Sequence, residues 1–488
     1  MLTPHYFAKY LSIVLGAALL AACPVKPISE QREPALLSEA DELRLGRDQD
    51  IEIRKQYGVY TNARLQAYVQ KVGERLAAHS QRAQLQYSFT VLDSPEVNAF
   101  ALPGGYVYVT RGVLAHLNSE AELAALLGHE IGHVSARHAL RQPPATLANN
   151  GDLTFGAILA PELSARSGQS LLGTLSDALL AGYGREHELE ANRLGAEYLA
   201  RADYDPKAII DVIGLLKHQE VFEKQVAAQE GRVPHVYHGV FTSHPDADER
   251  LQQVVAEAEK HRNPVNVRTE RALYLKLIEG LTWGDSEAQG IRRGAEFYHR
   301  GLNIGVRFPA GWQVDNNPER LLAISPARDA LLQMQVTEQG KARSPQEYLV
   351  VGMQRRDLRE TRAFKVGGLP GYSGITRMQT PFGPRDVRVA VVFLNKQAFR
   401  FFAAERDAQN SERGFFETVQ SLHSLSASER ALARGLRVEL VKARPRDSFA
   451  ALAKRAGLTH EPAAALRMLN GKFPQGEPTP GELIKIIQ

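Results

Sequence analysis

Residues 126–138 read LLGHEIGHVSARH. Two histidines, His129 and His133, stand four apart, with Glu130 directly after the first. Ser119 followed by Glu122 is a capping-box start, and Leu123, Leu126, Leu127, Ile131 and Val134 supply an apolar face. The stretch from Ser119 to Leu140 therefore reads as one long helix, with Pro143 and Pro144 beyond its end. On such a helix His129 and His133 lie one turn apart on one face, where both imidazoles reach one ion. Glu130 points roughly 100° away from His129, a direction from which it reaches a water beside that ion.

The chain of 488 residues has one cysteine, Cys23, so a metal must be held by His, Asp or Glu. A catalytic zinc needs a third protein ligand and an open position. Candidates for the third ligand lie in YGREHELEANRLGAEYL, residues 183–199. Glu188, Ala191, Asn192 and Gly195 share one helical face, and its small residues allow close approach to the first helix. Glu190 shares another face with Arg193, Leu194 and Glu197 and reads as solvent-facing. Packing thus favours Glu188 over Glu190, and His187, turned off that face, reads as structural.

Length alone suggests two or three domains. Lys9 and the apolar run Leu11–Ala22 have the make-up of an export leader, too short for a comfortable membrane span. The leader ends in Leu20-Ala21-Ala22-Cys23, which resembles a bacterial lipobox. Residues 1–23 are expected to be a lipoprotein signal peptide and 24–37 a tether. Lipid on Cys23 would hold a periplasmic body at a membrane, and Pro24 after the cysteine favours the outer one. A formal net charge of +4 with no dense Lys/Arg block gives no ground for a nucleic-acid partner.

Helical spacing over 38–57 and 61–79, a strand-like YSFTVLD and the run YVYVT complete the first folded unit, expected over 38–262. Residues 263–299 read as a connecting segment. From 300 to 426 short strand-like runs surround one helical stretch, an α+β pattern. Residues 436–488 read as a small separate unit. YVYVT, with Tyr106, Val107, Tyr108 and Val109, reads as an edge strand to which an extended peptide could add by main-chain hydrogen bonds.

The ordered set NAFALPGGYVYVTRGVL, ELAALLGHEIGHVSARH, REHELEANRLG and FTSHPDADERL resembles the HtpX/CAAX-prenyl-protease superfamily of gluzincin metallopeptidases, in its soluble periplasmic branch. The resemblance covers roughly residues 38–260. It implies a mainly helical α+β protease domain with a small edge-strand sheet, one zinc ion per chain, His129, His133 and Glu188 as ligands and Glu130 as the base. One position departs from the family's E-x-x-A-D: Asn192 stands where an aspartate would orient a ligand histidine, and it offers less charge assistance. His244 is the candidate oxyanion donor and Arg250 a second; alternatively His244 fills the open zinc position and closes the site, or merely caps a helix. Residues 300–426 resemble PsbP-like domains, and the tail resembles a LysM-like module with Arg446 where that module has glycine.

The resemblance implies a zinc-dependent endopeptidase cleaving misfolded or stalled envelope proteins at the periplasmic side of the outer membrane. The alternative is a mostly latent protease acting as a chaperone or assembly factor for outer-membrane proteins. Expected partners are unfolded or misassembled envelope proteins, the membrane through Cys23, and peptidoglycan or assembly machinery through the C-terminal regions.

Overall fold

The computed structural model describes residues 38–141, 183–230, 245–261, 267–406, 411–454 and 461–488. The leader, Cys23, the tether and His244 lie outside these residues. Arg250 is described by its backbone alone, within the helix Pro245–Glu259. The described chain has a helical first part and a large, mostly antiparallel sheet part.

Helix α1 (Glu39–Tyr57) begins where the Ser38 side chain accepts the Asp41 N–H and stops at Gly58, whose φ of 72° a side chain would strain. Helix α2 (Ala63–Ala77) is capped by Asn62 and buries Leu65, Val69, Val72 and Leu76 on one stripe. A three-stranded sheet follows, β1 (Ser88–Leu92), β2 (Ala99–Leu102) and β3 (Tyr106–Thr110), in the order β1-β3-β2. This corrects the edge-strand reading of Tyr106, Val107, Tyr108 and Val109. β3 is the central strand, parallel to β1 and antiparallel to β2, so its main-chain groups are committed on both sides. Its apolar side chains explain the placement: Val107 and Val109 are buried, and the Tyr108 hydroxyl donates to Asp50 Oδ1 at 2.6 Å.

Helix α3 (Arg111–His116) leads to α4 (Glu120–Ala136), the helix of the two histidines. The Ser119 side chain accepts the Glu122 N–H at 3.1 Å, while the Glu122 carboxylate accepts the Asn118 N–H at 2.8 Å. The expected helix to Leu140 breaks earlier. Arg137 takes a left-handed conformation, φ 56°, and a short 3-10 turn, His138–Leu140, follows. Glu42 fixes this break. Buried on α1, it receives Arg82 Nη1 at 2.6 Å, Arg137 Nη2 at 2.8 Å and the Gly104 N–H at 3.2 Å.

Helix α5 (Arg185–Arg201) crosses α4 with backbone against backbone. A Cβ on Gly132 would meet the Ala191 carbonyl oxygen at 2.7 Å, and one on Gly195 would meet the His129 nitrogen at 2.9 Å. The small face expected of this helix is thus the one that touches α4. Helix α6 (Ala208–Glu230) lays Ile209, Val212, Ile213 and Leu216 into the same core.

The segment expected only to connect holds structure of its own. Helix α8 (Arg271–Ile278, after α7, Pro245–Glu259) buries Tyr274, whose hydroxyl donates to the Leu114 carbonyl at 2.7 Å. After the short strand β4 (Thr282–Trp283), strands β5 (Ile291–Arg293) and β6 (Glu296–His299) pair with each other, and β6 continues onto β7 (Ile304–Arg307), which also pairs with β15 (His423–Ser424). Beyond them runs a seven-stranded antiparallel sheet, β8 to β14, from Gln313 to Glu405. It is covered on both faces: Phe415 and Val419 pack with Phe399 and Phe401, while Tyr348 and Leu349 pack with Val389, Val391 and Phe402.

The tail runs strand, helix, helix, strand: β16 (Leu436–Lys442), Phe449–Ala453, Pro462–Leu469 and β17 (Leu483–Ile487). Its apolar residues share one core with α2, α4 and α5, from Leu65 through Leu127 to Ile487. Lys485 is wholly buried and donates to the carbonyls of Ala115 at 2.6 Å, His116 at 3.3 Å and Leu117 at 2.8 Å. Burial pushes its pKa well down, with Glu122 acting against and Arg271 adding to the shift, and the three carbonyls at the end of α3 accept its hydrogens.

Two predictions follow from this packing. Gly132→Ala is expected to destabilise by about 1–3 kcal/mol through overpacking. The same change at Gly214 on α6, where nothing lies within 4 Å of the new Cβ, should raise stability by about 0.4–1 kcal/mol. Urea unfolding of both variants checks the opposite signs. The second concerns His116, which is buried; burial first, then Lys485, lowers its pKa to about 4 although the Gly112 carbonyl raises it. The unfolded chain binds this proton first, from the ordinary histidine value of 6.5 downward. Stability is therefore expected to fall as pH drops from 6.5 to about 4, by at most ~1.4 kcal/mol per pH unit, and this share to vanish in His116→Asn.

Candidate metal centre

α4 and α5 bring three buried side chains to one point. His129 Nε2 and His133 Nε2 are 3.0 Å apart, Glu188 Oε2 lies 3.3 Å from His129 Nε2, and Glu188 Oε1 lies 3.7 Å from His133 Nε2. Among the described residues this is the only group of three His, Cys, Asp or Glu side chains whose ligand atoms all fall within 4.8 Å.

The far side of each ring decides what the near side offers. His129 Nδ1 is 2.9 Å from Asn192 Oδ1 and can only donate to that acceptor. His133 Nδ1 is 2.9 Å from His138 Nδ1, and His138 Nε2 is 3.2 Å from Glu190 Oε2. The Glu190 carboxylate accepts, so His138 carries its hydrogen on Nε2 and presents a lone pair to the His133 Nδ1–H. With both rings neutral, the two Nε2 atoms at the centre are lone pairs facing each other beside a carboxylate. Two lone pairs and an anion, buried together, repel unless a proton or a metal cation lies among them. A nitrogen, nitrogen, oxygen donor set with no thiolate fits zinc.

The surrounding charges are tuned accordingly. Burial alone would lower the His129 pKa, but the Glu188 carboxylate, then Glu130 and Asn192, raise it to about 9. Burial pushes His133 well down, helped by His129, His138 and His187. Glu130 is buried on α4, and burial raises its carboxyl to about 7, with His129 lowering and Glu188 raising it. A carboxylate near 7 is suited to exchanging a proton with water at neutral pH. Glu130 borders a small cavity with His129, Asn192 and the apolar Leu126, Val212 and Leu216.

The structure thus joins His129, His133, Glu188, Glu130 and Asn192. It does not join β3 to them as an open edge, and it leaves His244 and the Arg250 side chain undescribed. Three further residues belong here. Tyr183 stacks on the His133 ring at 4.1 Å, and burial, then Glu130 and Glu188, keep its phenol protonated. His138 is fully buried, and the His187 ring stacks on it at 4.3 Å, consistent with a structural role for His187. Glu190, expected to face solvent, accepts from His138 and from Arg141 Nη1 at 3.1 Å. Continuing α4 to Leu140 hid His138: five residues past His133 on a helix it would point elsewhere, and only the left-handed Arg137 turns it back.

Comparison with known proteins agrees with this geometry. The description "Peptidase family M48" matches residues 63–258. The beta-barrel assembly-enhancing protease of Escherichia coli (strain K12) is 28% identical over 253 residues, 50% of this chain and 49% of that protein. The chain thus spans about half the length of that relative. A mitochondrial metalloendopeptidase of Schizosaccharomyces pombe is 29% identical over 265 residues, 53% of this chain and 74% of that protein. Among solved structures, the cyanobacterial PsbP of Synechocystis aligns with 28% of this chain and 96% of its own at 14% identity, with a TM-score of 0.22 that carries no argument. The matched residues 63–258, which are similar to peptidase family M48, include every residue of the centre.

Proposed function

We propose that the chain is a zinc-dependent endopeptidase that cleaves misfolded or stalled envelope proteins at the periplasmic side of the outer membrane, anchored there by lipid on Cys23. The observation that carries the reading is the buried convergence of His129, His133 and Glu188 with Glu130 beside them. The name of the Escherichia coli relative, a protease that enhances beta-barrel assembly, supports outer-membrane proteins as the substrate class.

His129, His133 and Glu188 would hold the zinc, which would supply Lewis acidity at the peptide carbonyl. Glu130 takes the proton of the attacking water and returns it to the amine as the C–N bond breaks. Asn192 and His138 keep the two imidazoles turned to the centre. His244 and Arg250 remain the proposed stabilisers of the oxyanion, with His244 also the proposed gate. With β3 paired on both sides, an extended peptide would add to β2, which pairs on one side with β3 and whose Leu102 borders the same cavity as His133.

Residues 300–426 as a PsbP-like domain and 436–488 as a LysM-like module are the proposed contacts with assembly machinery or peptidoglycan. The strand, helix, helix, strand order supports the second, and Arg446, φ 75°, holds a backbone conformation that favours glycine. A second reading, a mostly latent protease acting as an assembly factor, is favoured by one observation: His129, Glu130, His133 and Glu188 are all less than a tenth exposed.

Metal analysis of the purified protein should find about one zinc per chain. Glu130→Gln should retain that zinc and lose cleavage of an unfolded protein by at least ~100-fold. Zinc-free protein as purified, or a fully active Glu130→Gln, would sink the peptidase reading. Loss of cleavage with full rescue of outer-membrane assembly in cells would favour the second reading.

A further inference from the structure

Asn192 leaves the centre short of a carboxylate. A ligand histidine gains basicity when its outer N–H is held by an anion, and a neutral amide oxygen gives less. On the His133 side the chain offers what the His129 side lacks. His133 Nδ1 meets His138 Nδ1 at 2.9 Å, and His138 Nε2 meets Glu190 Oε2 at 3.2 Å. With both imidazoles neutral, the order of hydrogens along this line admits one arrangement. Glu190 cannot donate, so His138 Nε2 must; His138 Nδ1 is then an acceptor, and His133 Nδ1 must donate to it. His133 Nε2 is left as a lone pair pointing at the centre.

Every member of the line is held in place. His138 is 0% exposed and lies between the His133 and His187 rings, with centroids at 4.9 and 4.3 Å. Arg141 Nη1 fixes the Glu190 oxygen at 3.1 Å. The left-handed turn at Arg137, tied to Glu42 at 2.8 Å, delivers His138 to its place. A histidine packed only for bulk would not need an acceptor on one nitrogen and a donor on the other, each with a matched partner.

We propose that Glu190 and His138 form a positioning relay that fixes the tautomer and orientation of His133 toward the metal, so that carboxylate assistance reaches this centre through His133 in place of His129. The inference deepens the metal-centre reading and rests on it. It assigns Glu190 and His138 no contact with substrate. Their effect is on how tightly the metal is held and on which nitrogen of His133 carries the hydrogen.

The test uses the full chain. Zinc affinity is measured by competition with a chelator, and histidine tautomers by nitrogen NMR of the metal-free protein. Glu190→Gln removes the charge at a partly exposed position and should fold normally. It is expected to weaken zinc binding about 10-fold, and His138→Phe about 10- to 100-fold. In metal-free wild type, His133 should be the Nδ1–H tautomer, and in Glu190→Gln a mixture. Asn192→Asp should tighten zinc, since it adds assistance on the other ring. Wild-type zinc affinity in Glu190→Gln together with an unchanged His133 tautomer overturns the relay while leaving the metal centre intact. A wild type that takes up no zinc instead sinks the metal reading, and the relay with it.

Discussion

The closeness of α4 and α5 governs the rest of the first part of the molecule. Where Gly132 faces Ala191, no side chain separates the two backbones. Only at that spacing can a carboxylate as short as that of Glu188 reach two imidazoles on the neighbouring helix. The same spacing sets the Asn192 amide against the back of His129. Besides its apolar packing, α4 is held at both ends by charge. At the start of α4, Glu120 receives Arg75 and the Tyr68 and Tyr204 hydroxyls, and at its end Glu42 receives Arg137. A helix clamped at both termini cannot slide along its neighbour, and sliding by one residue would scatter the ligands.

Much of this centre was legible in the chain because helical periodicity carries it. His129, His133 and Glu130 are fixed by spacing on one helix, and Glu188 by the small-residue face that Ala191 and Gly195 mark. What escaped depends on breaks in periodicity. The left-handed Arg137 has no signature in the run SARH; its cause is Glu42, far away in sequence. Glu190 therefore reads as solvent-facing from the sequence, although it meets His138. The strand YVYVT alternates as an edge strand would, yet β1 pairs with it in parallel, a partner chosen by the path of the chain and invisible in local pattern.

The sheet part shows the opposite balance. Its strand runs were readable one by one, since Leu-, Val- and Phe-rich stretches separated by turn residues announce themselves. That both faces of the seven-stranded sheet are covered, and that β6 and β7 belong to a second sheet, follows from burial that no single strand records. Likewise, the tail looked independent because its own strands and helices are complete. Its apolar side chains nonetheless complete the core beneath the metal helices.

That last fact bears on the order in which the molecule comes into being. Leu65, Leu127 and Ile487 lie in one core, so a nascent chain cannot finish packing around α4 until residues 483–487 have left the ribosome. Until then the carbonyls at the end of α3 lack the Lys485 Nζ that donates to them. The centre on α4 and α5 thus reaches its final packing only after the last strand is made, a restraint written into connectivity.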